Sequence, residues 1–238
     1  MILVLWDIDR TLLYVGDTDR LVYREVFREV VGRDALQLPA RGTGVTMPLA
    51  VRALLSSNGV PDSEADHFAH LMVDRLPERL NRHRVEMRHE GHLMPGAVEA
   101  LVAVRQSRLL VPTIVTGNLK ASAEIKLSAF SLTDYVDISV GGYASDDSYR
   151  PALVGIAQRR AKATYHYPFS RENTVIIGDS LQDVRTGREG GAKVIGVASG
   201  TTSAERLAAE GADRVIRDLT DAGRTVQMIH EVAGRTLA

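Results

Sequence analysis

Short apolar runs that end in polar side chains recur along this chain. They lie at residues 2–6, 109–115, 136–140, 174–177, 193–197 and 213–216. Apolar runs of this length, bounded by turn residues, are typical of strands buried in a parallel sheet. From Pro95 onward they alternate with helical patterns, which predicts crossover helices between parallel strands. The expected fold class is therefore α/β, with a doubly wound parallel sheet.

Between Leu13 and Gly91 the strand pattern is missing and the apolar spacing is helical. Helices are predicted over residues 19–31, 47–56 and 62–85. We interpret residues 15–91 as an inserted α-helical cap domain and residues 1–14 with 92–238 as the core domain. The junctions near residues 14–16 and 89–91 are the expected hinges.

The first strand delivers two carboxylates and a hydroxyl in the pattern Asp7-Ile8-Asp9-Arg10-Thr11. Ligands bind beyond the carboxyl ends of strands in open α/β sheets, so these side chains are expected at a functional edge. Alternation sends Asp7 and Asp9 to the same side, which suits one attacking carboxylate and one proton shuttle. Taken alone, the pattern also fits an ordinary strand-to-helix turn.

Three later segments place compatible chemistry after predicted strands. Thr116-Gly117-Asn118 forms a turn whose amides and hydroxyl could grip an anionic oxygen. Arg150 precedes Pro151 and a helix predicted over residues 152–163. Asp179 and Asp183 follow the strand at 174–177 and can face one point if a helix begins between them. Helix capping is the competing interpretation for Asp179.

In this order, the four motifs resemble those of the haloacid dehalogenase superfamily of aspartate-nucleophile phosphatases. The resemblance runs from Ile2 to about Asp221, and the spacing is most similar to the phosphoglycolate phosphatase branch. It implies a Rossmann-like core with a helical cap between the first and second motifs. It also implies a phosphoric monoester hydrolase, in which Asp7 attacks phosphorus to form an aspartyl-phosphate and Asp9 protonates the leaving alcohol and then activates water.

Charge accounts for the cofactor that the resemblance implies. Four carboxylates converging on a phosphate dianion would repel it by several kcal/mol at moderate dielectric. A hard divalent cation with oxygen ligands removes that repulsion, and Mg²⁺ fits this description. The expected metal ligands are Asp7, Asp9, Asp179 and Asp183.

The resemblance also assigns phosphate and substrate contacts. Thr116 and Arg150 are expected in the catalytic group, since they would hold or neutralise the transferring oxygens. Relatives usually carry Lys at the third motif, so Lys120 is the alternative cation to Arg150. The remaining expected contacts are Thr11, Gly117, Asn118, Arg41 and Thr43. The last two lie in the segment 41–44, which resembles a loop laid across the substrate and also fits a plain Gly-rich turn.

The composition of the chain restricts the kinds of ligand and partner to expect. The chain has 238 residues, 45% hydrophobic residues, a formal net charge of −1 and no cysteine. It can bury a sizeable core, offers no electrostatic case for nucleic acid or acidic membranes, and has no thiol chemistry. No basic leader precedes the first strand and no apolar run approaches about 18 residues. We expect a cytoplasmic enzyme of a small phosphorylated metabolite, and the oligomeric state stays open.

Four other functions compete with a phosphatase. A phosphomutase of the same superfamily would need a bisphosphate primer, and a non-catalytic phosphate-binding protein would share the site without turnover. A signalling receiver domain also combines carboxylates, Mg²⁺, a Thr and a cation, but it keeps its first acidic pair adjacent and lacks such a cap. Metal-free dehalogenation needs no proton shuttle, so Asp9 favours phosphoryl transfer.

Overall fold

The computed structural model describes residues 1–40, 42 and 44–234. Its strands are β1 (Ile2–Trp6), β2 (Leu13–Tyr14), β3 (His92–Leu93), β4 (Leu110–Thr116), β5 (Gly142–Tyr143), β6 (Thr174–Gly178), β7 (Lys193–Val197) and β8 (Arg214–Ile216). The main sheet has six strands in the order β5-β4-β1-β6-β7-β8, and each neighbouring pair is parallel. The predicted doubly wound α/β fold is confirmed.

Strand β1 lies at the centre of the sheet, and all five of its side chains are buried. It pairs with β4 on one side and β6 on the other, with Trp6 opposite both Ile114 and Ile177. A strand covered on both faces needs a continuous apolar run, which explains its composition. Because the three strands are parallel and in register, the segments that follow them meet at one edge.

The helices divide into two groups along the chain. They are α1 (Thr18–Val31), α2 (Met47–Ser57), α3 (Asp62–Arg82), α4 (Arg84–Glu90), α5 (Ala97–Gln106), α6 (Lys120–Ala129), α7 (Ala152–Tyr165), α8 (Leu181–Gly190), α9 (Ala204–Glu210) and α10 (Ala222–Val232). Short 3-10 turns occur at Thr133–Tyr135 and Arg171–Asn173. Helices α1 to α4, which we call the helical insertion, occupy the segment where the sequence predicted helices. Helices α5 to α10 connect or flank the core strands.

Alternate residues of β1 supply two hydrophobic cores. Ile2, Val4 and Trp6 pack in the larger core, which also holds buried side chains of α1, α2, α3, α5 and α6. Leu3 and Leu5 pack in the second core, against side chains of α7 and α8. The helical insertion therefore shares its hydrophobic core with one face of the sheet. Among the described residues, no helix combines the length and apolar character that crossing a membrane would require.

A small antiparallel ribbon joins the helical insertion to the core. Strand β2 pairs with β3, so that Leu13 lies opposite Leu93 and Tyr14 opposite His92. The chain thus enters and leaves the helical insertion side by side. Gly16, just beyond β2, has φ 62°, a left-handed conformation that glycine adopts without strain.

The prediction of a strand at residues 136–140 is wrong, and the sheet edge is formed by β5 instead. The amide of Asp137 donates to the carbonyl of Pro112 at 2.8 Å. The N–H and C=O of a strand residue point to the same side, so Pro112 lacks the donor that a ladder on this side would need. The chain pairs with β4 only further along, where Gly142 lies opposite Val115.

We predict that Gly96→Ala destabilises the protein much more than Gly59→Ala. Both glycines have positive φ, 77° and 68°, so alanine is strained at either position by about 1 kcal/mol. A Cβ at Gly96 would also strike the backbone of Leu219, whereas the space around Gly59 is open. In urea unfolding, Gly96→Ala should lower the free energy of unfolding by about 3 kcal/mol or more. Equal losses for the two variants would contradict this packing.

Candidate active site

Three buried carboxylates lie together beyond the carboxyl ends of two central strands. Asp7 follows β1, Asp179 follows β6 and Asp183 lies in the first turn of α8. One oxygen of each lies within 4.8 Å of the others, and the residues are 6%, 3% and 0% exposed. We call Asp7, Asp179 and Asp183 the acidic triad. Charges this close and this poorly hydrated repel one another strongly.

Local capping fixes the position of Asp183. The N-cap of α8 is Ser180, whose amide and hydroxyl donate to Oδ2 of Asp183 at 2.9 and 2.6 Å, while the Asp183 amide returns a bond to the Ser180 hydroxyl. This capping box leaves Oδ1 of Asp183 facing the site. The alternative that Asp179 caps this helix is therefore wrong, and Asp183 has both a capping and a site role.

Arg150 lies between two members of the acidic triad. Its Nη2 donates to Oδ1 of Asp7 at 2.7 Å and to Oδ1 of Asp183 at 2.5 Å, and its Nη1 donates to the carbonyl of Gly44. Its side chain is 5% exposed, and its buried Nε has no hydrogen-bond partner among the described residues. The sequence-based choice of Arg150 as the cation of the third motif is consistent with this placement.

One guanidinium does not offset three buried carboxylates. Burial and the neighbouring Asp183 raise the pKa of Asp7 well above its ordinary value, against the opposing charge of Arg150. Burial, followed by Asp183, raises the pKa of Asp179 to about 7. The acidic triad thus has a deficit of positive charge. Its donors are all hard carboxylate oxygens, which is the ligand set that Mg²⁺ prefers.

Asp9 is turned toward a different cation. Its carboxylate accepts hydrogen bonds from Nζ of Lys126, at 2.8 and 3.0 Å, and from Nδ2 of Asn118 at 2.7 Å. Lys126 is fully buried and also donates to Oδ2 of Asp19 at 2.8 Å. Three of the four predicted metal ligands thus form the acidic triad, whereas the side chain of Asp9 belongs to a second group.

Lys126, like its partner Asp19, is a residue of the site that the sequence interpretation missed. It lies on the buried face of α6, together with Ser122, Ala123 and Leu127. A lysine at a position where helical spacing predicts an apolar side chain was the available signal. The identity of its partners could not be read from that signal, because Asp9 and Asp19 are more than 100 positions away along the chain.

The turn after β4 lies against both the acidic groups and the helical insertion. The Thr116 hydroxyl oxygen accepts hydrogen bonds from the amide and the side chain of Asn118, at 3.2 and 2.8 Å. The carbonyl of Gly117 accepts from the amide of Met47, the first residue of α2, at 2.7 Å. The predicted residues Thr116, Gly117 and Asn118 all line the same cavity as Asp7 and Asp9.

The other predicted contacts have mixed outcomes. The hydroxyl of Thr11 donates to Oδ1 of Asp179 at 3.2 Å, so it supports an acidic residue where a phosphate contact was expected. Lys120 is exposed, with Nζ 3.9 Å from Glu124 and near the ring of Tyr143, whereas Arg150 is inside the site. Arg41 and Thr43 lie outside the described residues.

A cavity of about 170 Å³ opens between the sheet edge and the helical insertion. Its floor includes Asp7, Asp9, Asp179 and Arg150. The cavity is also lined by polar and aromatic side chains, namely Arg10, Tyr14, Asp19, Arg20 and Tyr23. The guanidinium of Arg10 lies 4.5 Å from the centre of the Tyr14 ring, and Arg20 donates to the carbonyl of Pro39 at 2.6 Å. This volume suits a ligand of a few heavy atoms beyond an anionic head group.

Comparisons with known proteins agree with this architecture. Residues 151–222 match a protein-family model described as HAD-hydrolase-like, a segment that includes Asp179 and Asp183. A comparison with curated protein sequences finds no match. Among solved structures, a hydrolase from Pseudomonas syringae is similar with a TM-score of 0.70 and 23% identity, over 96% of this chain and 99% of that chain.

Two further solved structures are similar over nearly their full lengths. A protein assigned as a phosphoglycolate phosphatase, from Lactobacillus plantarum, has a TM-score of 0.65 and 20% identity, over 93% of this chain and 97% of that chain. CbbY from Rhodobacter sphaeroides, in complex with phosphate, has a TM-score of 0.66 and 17% identity, over 94% and 97% respectively. At these identities the likeness concerns the fold.

We predict that Asp179→Asn stabilises the metal-free protein at pH 8 but not at pH 4. The raised pKa of Asp179 means that the folded state holds its proton more tightly than the unfolded state does. Stability is therefore lost as pH rises from about 4 to about 7, and Asn removes this loss. Thermal unfolding in the presence of a chelator should show that Asp179→Asn raises the free energy of unfolding by on the order of 2 kcal/mol at pH 8.

Asp66→Asn is the matched control, because Asp66 is a well-exposed carboxylate in a surface pair with Arg52. It should leave the pH dependence of melting unchanged. A gain of the same size at pH 4 and pH 8 for Asp179→Asn would contradict the assignment of a strained, buried carboxylate.

Proposed function

We propose that the chain belongs to the haloacid dehalogenase superfamily of hydrolases and that it is a Mg²⁺-dependent phosphatase of a small phosphomonoester. The observation that carries the proposal is the environment of Asp7. This carboxylate lines the cavity, is bonded to Arg150 and lies within the acidic triad. A carboxylate held beside a guanidinium group in a small cavity is suited to attack a phosphoryl group.

The reaction proceeds in two displacements at phosphorus. In the first, an oxygen of Asp7 bonds to phosphorus, the bond to the leaving oxygen breaks, and that oxygen takes a proton from Asp9. In the second, water attacks phosphorus, the bond to Asp7 breaks, and Asp9 takes the proton of the water. Both carboxylates line the cavity, so one substrate can reach them together.

The acidic triad fits a divalent cation, and its three members would hold it. Mg²⁺ bound there would offset the charge of the carboxylates and of the phosphoryl oxygens. Arg150 supplies a fixed positive charge beside the nucleophile. Thr116, Gly117 and Asn118 line the same cavity as Asp7, and we assign to them the orientation of the transferring group.

We propose a phosphoglycolate-like substrate. The volume of about 170 Å³ favours a small metabolite over a nucleotide. Arg10 and Arg20 also line the cavity, each with a guanidinium group. A substrate with a carboxylate at the end away from its phosphate would complement them. The likeness to a structure assigned as a phosphoglycolate phosphatase also supports this choice.

We predict that Asp7→Asn lowers phosphate release at least about a thousandfold, because an amide oxygen is a poor nucleophile. The assay is a panel of small phosphomonoesters with Mg²⁺, and the same panel with a chelator should give no release. Asp134→Asn, at an exposed acid on a 3-10 turn, is the control and should match the wild type. Equal rates for the wild type and Asp7→Asn would favour a binding protein, and release only with a bisphosphate primer would favour a phosphomutase.

We predict that Arg10→Met raises the KM for phosphoglycolate about tenfold, since it removes one charge-assisted contact. The KM for phenyl phosphate, which has no second charge, should change less than about threefold. Arg108→Met, at an exposed arginine before β4, should change neither value. Equal increases for both substrates would show that Arg10 does not recognise a carboxylate.

A further inference from the structure

A second buried cation lies behind the cavity, bound to the proton shuttle. The ammonium of Lys126 donates two hydrogen bonds to Asp9 and one to Asp19, at distances from 2.8 to 3.0 Å. An ammonium has three donors, so all of them are used. Lys126 is fully buried and is not among the cavity-lining residues. It therefore acts on a ligand only through the carboxylates that it holds.

The two carboxylates come from different parts of the chain. Asp9 follows β1, whereas Asp19 lies in the first turn of α1 and belongs to the helical insertion. Both line the cavity. Asn118, after β4, fixes Asp9 from a second direction at 2.7 Å. The orientation of Asp9 thus depends on α6, on the turn after β4 and, through Lys126, on the position of α1.

We propose that Lys126 is a positioning residue, which holds the Asp9 carboxylate in place to accept the proton of the attacking water and joins it through Asp19 to helix α1. The inference rests on the proposed function. In the step concerned, the water oxygen bonds to phosphorus, the bond between phosphorus and Asp7 breaks, and one water proton passes to Asp9. A carboxylate free to rotate would serve this step poorly, because a proton acceptor must be within hydrogen-bond reach of its water.

A positioning role of Lys126 can be distinguished from general structural support by which of the two displacements its replacement slows. With p-nitrophenyl phosphate the leaving group needs little protonation, so formation of the phosphoenzyme is nearly independent of Asp9. Hydrolysis of the phosphoenzyme still needs a proton acceptor. A defect in positioning Asp9 should therefore slow the second displacement selectively, whereas partial misfolding reduces the number of active sites and slows both displacements in proportion.

The test is the kinetics of Lys126→Met with p-nitrophenyl phosphate and Mg²⁺. We expect kcat to fall about 100-fold and KM to fall with it, so that kcat/KM changes less than about tenfold. A burst of p-nitrophenolate close to one equivalent of enzyme should precede the slow steady state. Lys162→Met, the same change at an exposed lysine on α7, should keep the wild-type kinetics.

A second variant covers the case in which Lys126→Met does not fold. Lys126→Met with Asp19→Asn removes one charge of each sign, so the group keeps the net charge of the wild type, and it should show the same fall in kcat and the same burst. In melting experiments without metal or substrate, Lys126→Met should lower the free energy of unfolding less in an Asp9→Asn background than in the wild type.

The outcomes separate the two proposals. No phosphate release by the wild type overturns the proposed function. An active wild type with proportional losses in kcat and kcat/KM, or with no burst, for the lysine variants overturns the role of Lys126 alone. The role of Lys126 is also overturned if the stability losses of Lys126→Met and Asp9→Asn add up in the double variant, because additivity would show that the two side chains do not act as a unit.

Discussion

The structure depends on how three buried carboxylates are kept together at one edge of the sheet. Asp7 and Asp179 are delivered by adjacent parallel strands, and Asp183 is fixed by the capping box of the following helix. Arg150 offsets part of their charge, and the raised pKa of Asp7 and of Asp179 shows what remains uncompensated. A fold retains such a group at a cost in stability. That cost is understandable when the working site contains a further cation, which is the basis of the proposed function.

A second feature is the separation of the acidic side chains of the site into two charge groups. Arg150 binds Asp7 and Asp183, whereas Lys126 binds Asp9 and Asp19. In the proposed reaction the first group carries the nucleophile and the metal ligands, and the second carries the proton shuttle. Because each group has its own buried cation, the two carboxylates of the first motif experience different surroundings although they are two positions apart. Such a difference is what lets neighbouring carboxylates take different roles.

The helical insertion contributes to these groups directly. The carbonyl of Gly44 accepts a hydrogen bond from Arg150, the amide of Met47 donates to Gly117, and Asp19 accepts one from Lys126. The helical insertion therefore contacts Arg150, which binds the proposed nucleophile, and the turn after β4, which would orient phosphate. It also contacts Lys126, which binds the proposed proton shuttle. The same segment supplies Arg20 and Tyr23 to the cavity. Selection of the substrate and arrangement of the catalytic groups would therefore depend on one set of helices, which is expected where an insertion covers a reaction that water must not enter early.

The sequence by itself determined the order of β1, β4, β6, β7 and β8 along the chain and the placement of Asp7, Thr116 and Asp179 at strand ends, because periodicity and strand polarity are local properties. It failed at residues 136–140, where the outcome depends on the missing donor of Pro112 in the neighbouring strand. Only the tertiary structure decided that Arg150 lies in the site, that Thr11 supports Asp179, and that Asp9 faces a buried lysine. Lys126 and Asp9 are 117 positions apart, and nothing local to either residue specifies the other. Pairing between distant charges is set by how the sheet and the inserted helices pack, which the sequence pattern does not encode residue by residue.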